Sequence, residues 1–154
     1  MTGQRKGTAI AMTEDERDTF LQAQPVCRVA TVGSDGRPHA SALWFVWDGT
    51  ALWLNSLTRS QRWVDLDRDP RVSVIIDDGG ADFMALRGIE LQGSAQIIGE
   101  VPRKGEPLDA LAIPEQLFAE KYMGGGEFRY DGRHAWLRLA ADKIVSWDFA
   151  KLRR

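Results

Sequence analysis

A chain of 154 residues is long enough to bury a sizeable hydrophobic core and is expected to form one domain. Hydrophobic residues make up 44% of it and charged residues 27%, which is the ordinary composition of a soluble globular protein. The net charge of −2 gives no reason to expect a nucleic-acid partner or an anionic membrane surface.

The N-terminal segment shows no targeting signal. Residues 1–12 are polar and contain glycine, so a flexible arm is expected there, followed by a single domain over residues 13–154. The segment has no apolar stretch of the signal-peptide type, and no part of the chain reaches membrane-spanning length. A cytoplasmic protein with no membrane partner is therefore expected.

The first predicted element is a helix. Thr13 and Glu16 have the spacing of a capping box, in which the Thr13 hydroxyl accepts from the backbone N–H of Glu16 while the carboxylate reaches back. Pro25 follows the apolar residues of this segment and ends the helix near Gln24.

Three strands joined by tight turns come next. Residues 26–32 form a β-branched, alternating run that ends at a Gly-Ser-Asp-Gly turn. Residues 39–47 read as one long second strand, and an Asp-Gly hairpin signal returns the chain as a third strand over residues 51–57. Cys27, the single cysteine, lies in the first strand, where a buried inert thiol is expected, and it excludes an intrachain disulfide.

Small residues interrupt the second predicted strand. Ala40, Ser41 and Ala42 are unusual in a long strand because they leave room for something to lie against the sheet. Either a bound ring or another side chain of the protein can occupy that room.

A polar corner precedes the next helix, which is predicted over residues 60–67 with Trp63, Val64 and Leu66 directed inward. A helix N-terminus carries free backbone N–H groups and a partial positive charge, so added hydroxyls and guanidiniums make it suitable for phosphate. The alternative is an ordinary capped helix with solvated arginines. The corner contains Ser56, Thr58, Arg59, Ser60, Gln61 and Arg62.

The second half of the chain is again mainly strand. Residues 71–77 and 81–99 are predicted strands, the second one bent or bulged at Gly88 and Gly93. A helix over residues 108–123 is expected to restart at Pro114. Residues 135–140 and 143–149 are expected to pair as a final hairpin.

These elements predict a mainly β (α+β) domain of six to seven mostly antiparallel strands with short flanking helices. Strands joined by tight turns cannot be parallel neighbours, so a small closed or split β-barrel is expected in place of a parallel α/β sheet.

Motifs for catalysis by side chains are absent from the sequence. His39 and His134 are too few and too far apart to indicate a metal site, and no nucleophile-elbow, P-loop or zinc-protease pattern occurs. A candidate phosphate corner without an acid–base pair indicates a bound organic cofactor that does the chemistry, or a protein that only binds.

The sequence resembles the flavin-binding split β-barrel superfamily named for pyridoxamine 5′-phosphate oxidase. Residues 30–45 are similar to its first hairpin, and residues 60–62 followed by 66–74 are similar to its phosphate-binding turn with the helix and strand after it. Residues 87–95 and the Ser-Trp-Asp of residues 146–148 match later strands. The Trp-Phe pair in the second strand and the Arg-Asp-Pro-Arg-Val helix end look most like the actinobacterial branch that uses the deazaflavin coenzyme F420.

The resemblance implies a homodimer with two cofactor sites at its interface and a small-molecule substrate. It implies that hydride passes between F420 and an electron-poor acceptor such as an enone or a quinone-like compound. The strand would edge the cofactor ring and the helix start would hold its phosphate, with Arg59 adding charge. The implied cofactor-binding residues are Ser41, Ala42, Leu43, Trp44, Phe45, Ser56, Ser60, Gln61 and Arg62.

Several positions depart from the oxidase pattern. Gln61-Arg62 stands where the oxidase has Arg-Lys, and Gly88 stands at the position of a glutamine that contacts the partner subunit. The oxidase's substrate-phosphate and C-terminal Arg-x-His features have no counterpart, so pyridoxamine phosphate oxidation is not expected. The alternatives to an F420-dependent reductase are an FMN-binding oxidoreductase of the same fold and a non-catalytic cofactor carrier.

Overall fold

The structure is a computed structural model that describes residues 3–153. Over that range the backbone forms one seven-stranded antiparallel sheet with three α-helices and three short 3₁₀ turns. The strands are β1 (Cys27–Val32), β2 (Pro38–Leu43), β3 (Phe45–Trp47), β4 (Leu52–Leu57), β5 (Arg71–Asp78), β6 (Arg87–Ile98) and β7 (His134–Asp148). The helices are α1 (Glu14–Ala23), α2 (Gln61–Arg68) and α3 (Asp109–Tyr122), and the 3₁₀ turns are Thr8–Ile10, Phe83–Ala85 and Phe149–Arg153.

One residue forces the sheet to curl. The strand order is β2-β1-β5-β6-β7-β4-β3, so β2 and β3 form its opposite edges, yet only Trp44 separates them in the chain. Consecutive Cα atoms lie about 3.8 Å apart, so the two edges must meet within roughly 7 Å at Trp44. The sheet is therefore a barrel split at this residue, which confirms the predicted fold class. We call this junction the seam and define it by Leu43, Trp44 and Phe45.

The prediction of one long second strand over residues 39–47 is wrong. Leu43 is paired with Cys27 of β1, whereas Phe45 is paired with Leu54 of β4. The side-chain pattern looks continuous because both strands are extended, but the hydrogen-bonding partner changes at Trp44. Sequence periodicity does not report which strand is the neighbour.

The predicted final hairpin is also wrong, because β7 is a single strand of fifteen residues that pairs with β6 and with β4. Gln92 of β6 is paired with Lys143, and Gly93 is paired with Ala141. Asp142 is therefore the extra residue of a β-bulge and not the tip of a turn. A bulge therefore occurs opposite Gly93, as expected in position, but its extra residue belongs to β7 and not to the strand of Gly93.

The predicted start and end of the first helix are confirmed, whereas the predicted restart of the third helix is wrong. The Thr13 Oγ1 accepts from the backbone N–H of Glu16 at 3.2 Å, and the Glu16 carboxylate accepts from the N–H of Thr13 at 3.1 Å, so the capping box is confirmed. The helix ends with Gln24 as its C-terminal cap. Helix α3 does not restart at Pro114, which is buried inside one continuous helix.

Buried side chains form two clusters on the two faces of the sheet. The larger one fills the barrel interior and includes apolar side chains of α1 and α2. The smaller one lies on the outer face of β3, β4 and β7, where Trp53 and Trp136 pack against Leu111 and Phe118 of α3. This second cluster fixes α3 beside the seam.

The described part of the N-terminal arm lies against β7. The side chain of Gln4 accepts from the backbone N–H of Ser146 at 2.9 Å and donates to its carbonyl oxygen at 3.1 Å. The backbone N–H of Met12 donates to the Ser146 hydroxyl at 2.9 Å. Among residues 3–153, no helix is long and apolar enough to cross a membrane.

Gly88 is required by close packing rather than by a bulge, since it stays in register with Asp77 of β5 and Trp147 of β7. A Cβ there would lie 2.8 Å from Cε2 of Trp147 and 2.9 Å from the carbonyl oxygen of Ile76. We therefore expect Gly88→Ala to lower the free energy of unfolding by about 1–3 kcal/mol, the usual cost of overpacking. Chemical denaturation measures this change.

The control for this prediction is Ser94→Ala, which lies on the same strand with an exposed side chain. It should change the free energy of unfolding by less than about 0.5 kcal/mol. If Gly88→Ala and Ser94→Ala unfold alike, the packing of Trp147 on Gly88 is not as described.

Candidate functional site

A buried guanidinium spans the seam. Arg62 is 7% exposed, and its Nη1 donates to the Ser41 hydroxyl of β2 at 2.7 Å. Its Nε donates to the Ser56 hydroxyl of β4 at 3.1 Å. Ser41 and Ser56 belong to strands on opposite sides of the seam, so this one side chain connects both sides of the split barrel.

No carboxylate within the described residues forms an ion pair with Arg62. Burial lowers the pKa of Arg62, because the desolvated guanidinium is not compensated by a neighbouring anion. A buried cation is ordinarily paired, since desolvating an ion costs several kcal/mol. The position is therefore prepared for an anion that is not part of the chain.

The start of helix α2 adjoins this guanidinium. The Ser60 Oγ caps the helix by accepting from the backbone N–H of Trp63 at 3.1 Å, and it lies 3.4 Å from the Ser56 Oγ. Arg62 lies in the first turn of the same helix. The cap, the helix N-terminus and the uncompensated cation are therefore in one place, an arrangement that favours an anion.

The inward face of α2 differs from the prediction. Trp63 and Leu66 are buried as expected, but Val64 is 51% exposed. Arg62 and Asp65 are buried in its place, because serine hydroxyls satisfy the guanidinium, and Thr31 and Gln61 donate to the Asp65 carboxylate at 2.8 and 2.7 Å. The inward face of α2 is therefore determined by polar side chains that lie outside the helix, such as Ser41 and Thr31.

Arg62 lies at the edge of a cavity of about 410 Å³ that opens at the seam. The cavity lies outside the barrel, between the outer face of β4 and β7 and the segment that follows α3. Its lining residues are Ala42, Leu43, Trp44, Asn55, Leu57, Arg62, Arg103, Phe118, Met123, Phe128, Arg129, Tyr130, Asp131 and His134.

Aromatic rings form one wall of this cavity. Trp44 is 50% exposed and is stacked on Tyr122, with ring centroids 4.5 Å apart and planes inclined by 6°. Phe118 lies 4.8 Å from Tyr122 and 5.5 Å from Phe128. A half-exposed, rigidly stacked indole beside small residues is suited to contact a flat ligand ring.

The C-terminal end of α3 fastens this wall to the seam. The Tyr122 hydroxyl accepts from the backbone N–H of Phe45 at 3.2 Å and lies 2.8 Å from the carbonyl oxygen of Pro25. The Lys121 ammonium donates to the Phe45 carbonyl at 3.2 Å and lies 4.0 Å from the centre of the Phe45 ring. Burial lowers the pKa of Lys121 to about 8 and raises that of Tyr122 to about 12.

A fully bonded ionic network supports the opposite wall. Both oxygens of the buried Glu115 carboxylate accept from Arg103, at 2.9 and 3.0 Å, and the Tyr130 hydroxyl and the Trp136 indole N–H also donate to it. Arg103 bonds to Glu100 as well. Because Arg103 already has two carboxylate partners, it supports the cavity and does not offer an unpaired charge to it.

The structure brings only some of the predicted site residues to the cavity. Ala42, Leu43, Trp44 and Arg62 line it. Phe45 is fully buried and contributes its backbone to Tyr122 and Lys121.

Other predicted residues act on Arg62 or lie elsewhere. Ser41 and Ser56 hold the guanidinium, and Ser60 caps the helix. Gln61 bonds to Asp65 and lines a separate cleft with His39. Arg59 is exposed.

Three other basic residues, Arg5, Lys6 and Arg68, lie away from this cavity. Arg5 and Lys6 line a different depression near the N-terminal segment, and Arg68 donates to the carbonyl oxygen of Val32. Arg129 lines the cavity instead, and within residues 3–153 it forms no ion pair. Cys27 is buried, and burial raises the pKa of its thiol to about 12, which agrees with an inert thiol.

Sequence reasoning missed the residues that the outer face of the sheet contributes. Asn55 and Leu57 of β4 and His134 of β7 line the cavity because they share that face. Asn55 offered one signal, since it is a polar residue within an otherwise apolar strand. The sequence around His134 contained no such signal, because the β4 residue that it pairs with, Leu57, is far away in the chain.

These residues fit a phosphorylated ligand with a flat ring. Arg62 provides an uncompensated buried charge, and the Nδ2 of Asn55 is shielded from solvent without a hydrogen-bond partner among the described residues. Trp44 supplies a stacking surface, and Ala42 leaves room beside it. Among residues 3–153 no cluster of His, Cys, Asp and Glu is arranged to hold a metal ion.

Comparison with known proteins agrees with this geometry. The profile of a family described as pyridoxamine 5′-phosphate oxidase matches residues 13–148. The chain is 31% identical over 94 residues to the 5a,11a-dehydrotetracycline/5a,11a-dehydrooxytetracycline reductase of Streptomyces rimosus subsp. rimosus. That alignment covers 58% of this chain and 66% of the reductase, just under two thirds of its length.

Solved structures show the same fold over nearly the whole chain. The conserved hypothetical protein Rv2991 from Mycobacterium tuberculosis is 33% identical with a TM-score of 0.80, covering 99% of this chain and 94% of that one. An F420 reductase is 23% identical with a TM-score of 0.62, covering 82% and 94%, and at that identity it supports the fold alone. Together the matches show the family and the fold.

The buried Lys121 predicts a dependence of stability on pH. The unfolded chain has an ordinary lysine pKa of about 10.4, so above the folded value of about 8 the unfolded state binds more protons. The free energy of unfolding contributed by Lys121 must then rise with pH. Relative to Lys121→Met, the free energy of unfolding of the wild type should rise by about 0.5 kcal/mol between pH 8 and 9. This is less than a fully buried lysine would give, because Lys121 is partly exposed.

Comparison with the variant cancels the opposing titration of Cys27, which both proteins share. Chemical denaturation at each pH measures the difference, and Lys104→Met, which removes an exposed lysine, should follow the wild type. Parallel pH profiles for the wild type and Lys121→Met would mean that the Lys121 ammonium is not desolvated.

Proposed function

The chain belongs to the pyridoxamine 5′-phosphate oxidase family, and from that membership we propose that it is a reductase that uses coenzyme F420. In this proposal the cofactor occupies the cavity at the seam and serves a small organic acceptor such as an enone or a quinone-like compound. The observation that carries the proposal is the buried Arg62, which has no carboxylate partner among the described residues.

The phosphate end of the cofactor is assigned to the start of α2. Arg62 faces the cavity while Ser41 and Ser56 hold its Nη1 and Nε, so the guanidinium keeps one orientation before any ligand arrives. A pre-oriented guanidinium loses little side-chain entropy on binding, which favours affinity for phosphate. Ser60 and the helix N-terminus add favourable dipoles at the same place.

The ring end is assigned to the seam. Ala42 and Leu43 leave space beside the half-exposed Trp44, whose stacking on Tyr122 keeps the indole in place. When bound, a reduced deazaflavin or flavin supplies hydride to the acceptor. The residues orient the two partners and exclude water, since the aromatic wall is apolar and rigid.

Arg129 and the seam sequence favour F420 over FMN, and one relative bears on the acceptor. Arg129 lines the cavity without an ion pair among the described residues, and F420 carries an anionic oligoglutamate tail that FMN lacks. The Streptomyces rimosus relative is named as a reductase of dehydrotetracyclines, which supports a carbonyl-rich organic acceptor. The seam sequence Trp44-Phe45 resembles the deazaflavin-using branch of the superfamily.

Titration of the purified protein with F420 and with FMN tests the proposal, using cofactor fluorescence as the readout. We expect tighter binding of F420. Arg62→Met keeps the side-chain volume but removes the charge, and it should weaken binding by about 1.5–3 kcal/mol, the contribution of a hydrogen bond to a charged group.

Arg59→Met is the matched control, because Arg59 is an exposed arginine three residues earlier. It should bind F420 with an affinity within about twofold of the wild type, a change of less than 0.5 kcal/mol as for other surface substitutions. Equal affinities of the wild type and Arg62→Met for both cofactors would falsify the phosphate assignment. Tight F420 binding without oxidation of its reduced form by any enone or quinone would favour the carrier alternative.

We also propose that the protein is a homodimer whose second copy covers the open side of the cavity. Trp44 is 50% and Leu57 is 42% exposed, and both line that opening. Large apolar side chains at a cavity mouth are typical of surfaces that become covered.

Light scattering should therefore give a mass of two 17.2 kDa chains. Trp44→Lys, which places a charge at the opening, should shift that mass toward one chain, whereas Trp44→Phe should not. A wild-type mass of one chain at micromolar concentration would contradict the proposed dimer.

A further inference from the structure

Two polar side chains share one face of the sheet at the cavity. Asn55 of β4 is paired with Trp136 of β7, and Leu57 two residues later is paired with His134. Asn55 and His134 are therefore diagonal neighbours on the outer face, where Cα atoms lie about 7–8 Å apart. Both line the cavity, so one ligand atom between them is within reach of both side chains.

Asn55 presents an unused donor. Its Nδ2 is shielded from solvent and has no hydrogen-bond partner among residues 3–153. A buried amide N–H without a partner is unusual, because losing its hydration costs about 1–3 kcal/mol. A ligand oxygen at this position would satisfy the donor.

His134 presents a second ring nitrogen in a fixed orientation, and this nitrogen donates a hydrogen bond when the ring carries both protons. Its Nδ1 lies 2.5 Å from Oδ2 of Asp131, and the other carboxylate oxygen accepts from the backbone N–H groups of Arg133 and His134. A carboxylate on Nδ1 keeps a proton on that nitrogen and directs Nε2 away from it. Nε2 forms no hydrogen bond with a described residue.

We propose that Asn55 Nδ2 and His134 Nε2 together bind the carbonyl oxygen of the hydride acceptor, and that His134 is a catalytic residue that protonates this oxygen. This inference rests on the proposed reductase function. It identifies the acceptor as a planar α,β-unsaturated carbonyl compound, an enone or a quinone, that lies against the aromatic wall of Trp44 and Phe128.

The step balances in atoms and electrons. The acceptor receives a hydride at its β-carbon from the reduced deazaflavin or flavin, which is thereby oxidised, and the electron pair of the carbon–carbon double bond moves toward the carbonyl oxygen. That oxygen takes a proton from Nε2 of His134. The enol formed from an enone then rearranges to the ketone, whereas the product formed from a quinone tautomerises to the hydroquinone. His134 becomes neutral and regains a proton from solvent. Donors aimed at the oxygen stabilise the charge that develops there.

The charges around His134 suit this role. Asp131 stabilises the imidazolium, while Arg62, Arg103 and Arg129 face the cavity from α2, from the segment after β6 and from the segment after α3. Arg103 is neutralised by its carboxylate partners, and in the proposal the cofactor's anionic groups neutralise the other two arginines. The imidazolium is then the proton source next to the carbonyl.

The first test needs no cofactor. Menadione, a naphthoquinone, and 2-methylnaphthalene, which has the same rings without carbonyls, are titrated into the cofactor-free protein. We expect menadione to bind about tenfold more tightly and to shift the ¹⁵N resonances of Asn55 Nδ2 and His134 Nε2. In Asn55→Leu, which keeps the shape but removes the donor, most of this preference should disappear.

The second test separates binding from proton transfer. Gln at position 134 can donate a hydrogen bond but cannot supply a proton, so His134→Gln should keep most of the menadione affinity. Its single-turnover rate of menadione reduction by reduced F420 should fall by about 100-fold, the usual contribution of a general acid.

His39→Gln is the matched control, since His39 lies in a separate cleft. It should follow the wild type in both tests. Asp131→Asn should keep the backbone hydrogen bonds but slow reduction, because the imidazolium loses its counter-charge.

Equal binding of menadione and 2-methylnaphthalene by the wild type would overturn the proposal, whether or not a cofactor binds. So would loss of F420 affinity in Asn55→Leu with an unchanged menadione preference, because the two donors would then serve a carbonyl of the cofactor ring. A wild-type rate of menadione reduction in His134→Gln would remove the proton-transfer role. Failure of the proposed function itself would show separately, as absence of F420 and FMN binding in a protein that still prefers menadione.

Discussion

The hydrogen bonds of Arg62 to Ser41 and Ser56 are the interaction on which the site depends. They cross the seam, so they hold the two sides of the split barrel at a fixed separation, and they orient the guanidinium toward the cavity. The cost of burying this cation is not offset by a carboxylate within the described residues. The chain therefore holds a charge that stabilises the protein little by itself and becomes favourable when an anion binds.

The topology explains why the cavity lies where it does. The chain has one residue, Trp44, in which to pass from one edge of the sheet to the other, so the backbone on both sides of this residue cannot be covered by a further strand. Helix α3 covers part of the opening through Tyr122 and Lys121, which bond to the backbone of Phe45. The remaining part is the cavity, bounded by side chains whose positions are set by the sheet.

Local features of the fold could be predicted from the sequence. The capping box at Thr13 depends on neighbours within a few residues, and Gly93 marked the position of a bulge because glycine is common there. The antiparallel class follows from the tight turns. The change of partner at Trp44 and the continuity of β7 through Asp142 could not be predicted, because both depend on which distant strand supplies the hydrogen bonds.

The residues of the candidate site were also only partly predictable from the sequence. Ser60 and Arg62 could be identified because a helix start has a recognisable pattern, and resemblance to a family indicated the strand beside the cavity. Asn55 and His134 could not be identified, since only the register of β4 with β7 brings them together. Val64 was expected inside and is exposed, because polar partners made burial of Arg62 more favourable than a purely apolar helix face.

The most direct test of the central claim is a crystal structure of the protein with F420 bound. The account predicts the cofactor's phosphate within hydrogen-bonding distance of Arg62 and the start of α2, with the deazaflavin ring beside Ala42 and Trp44. A phosphate bound away from Arg62, or a ring outside the cavity at the seam, would contradict it.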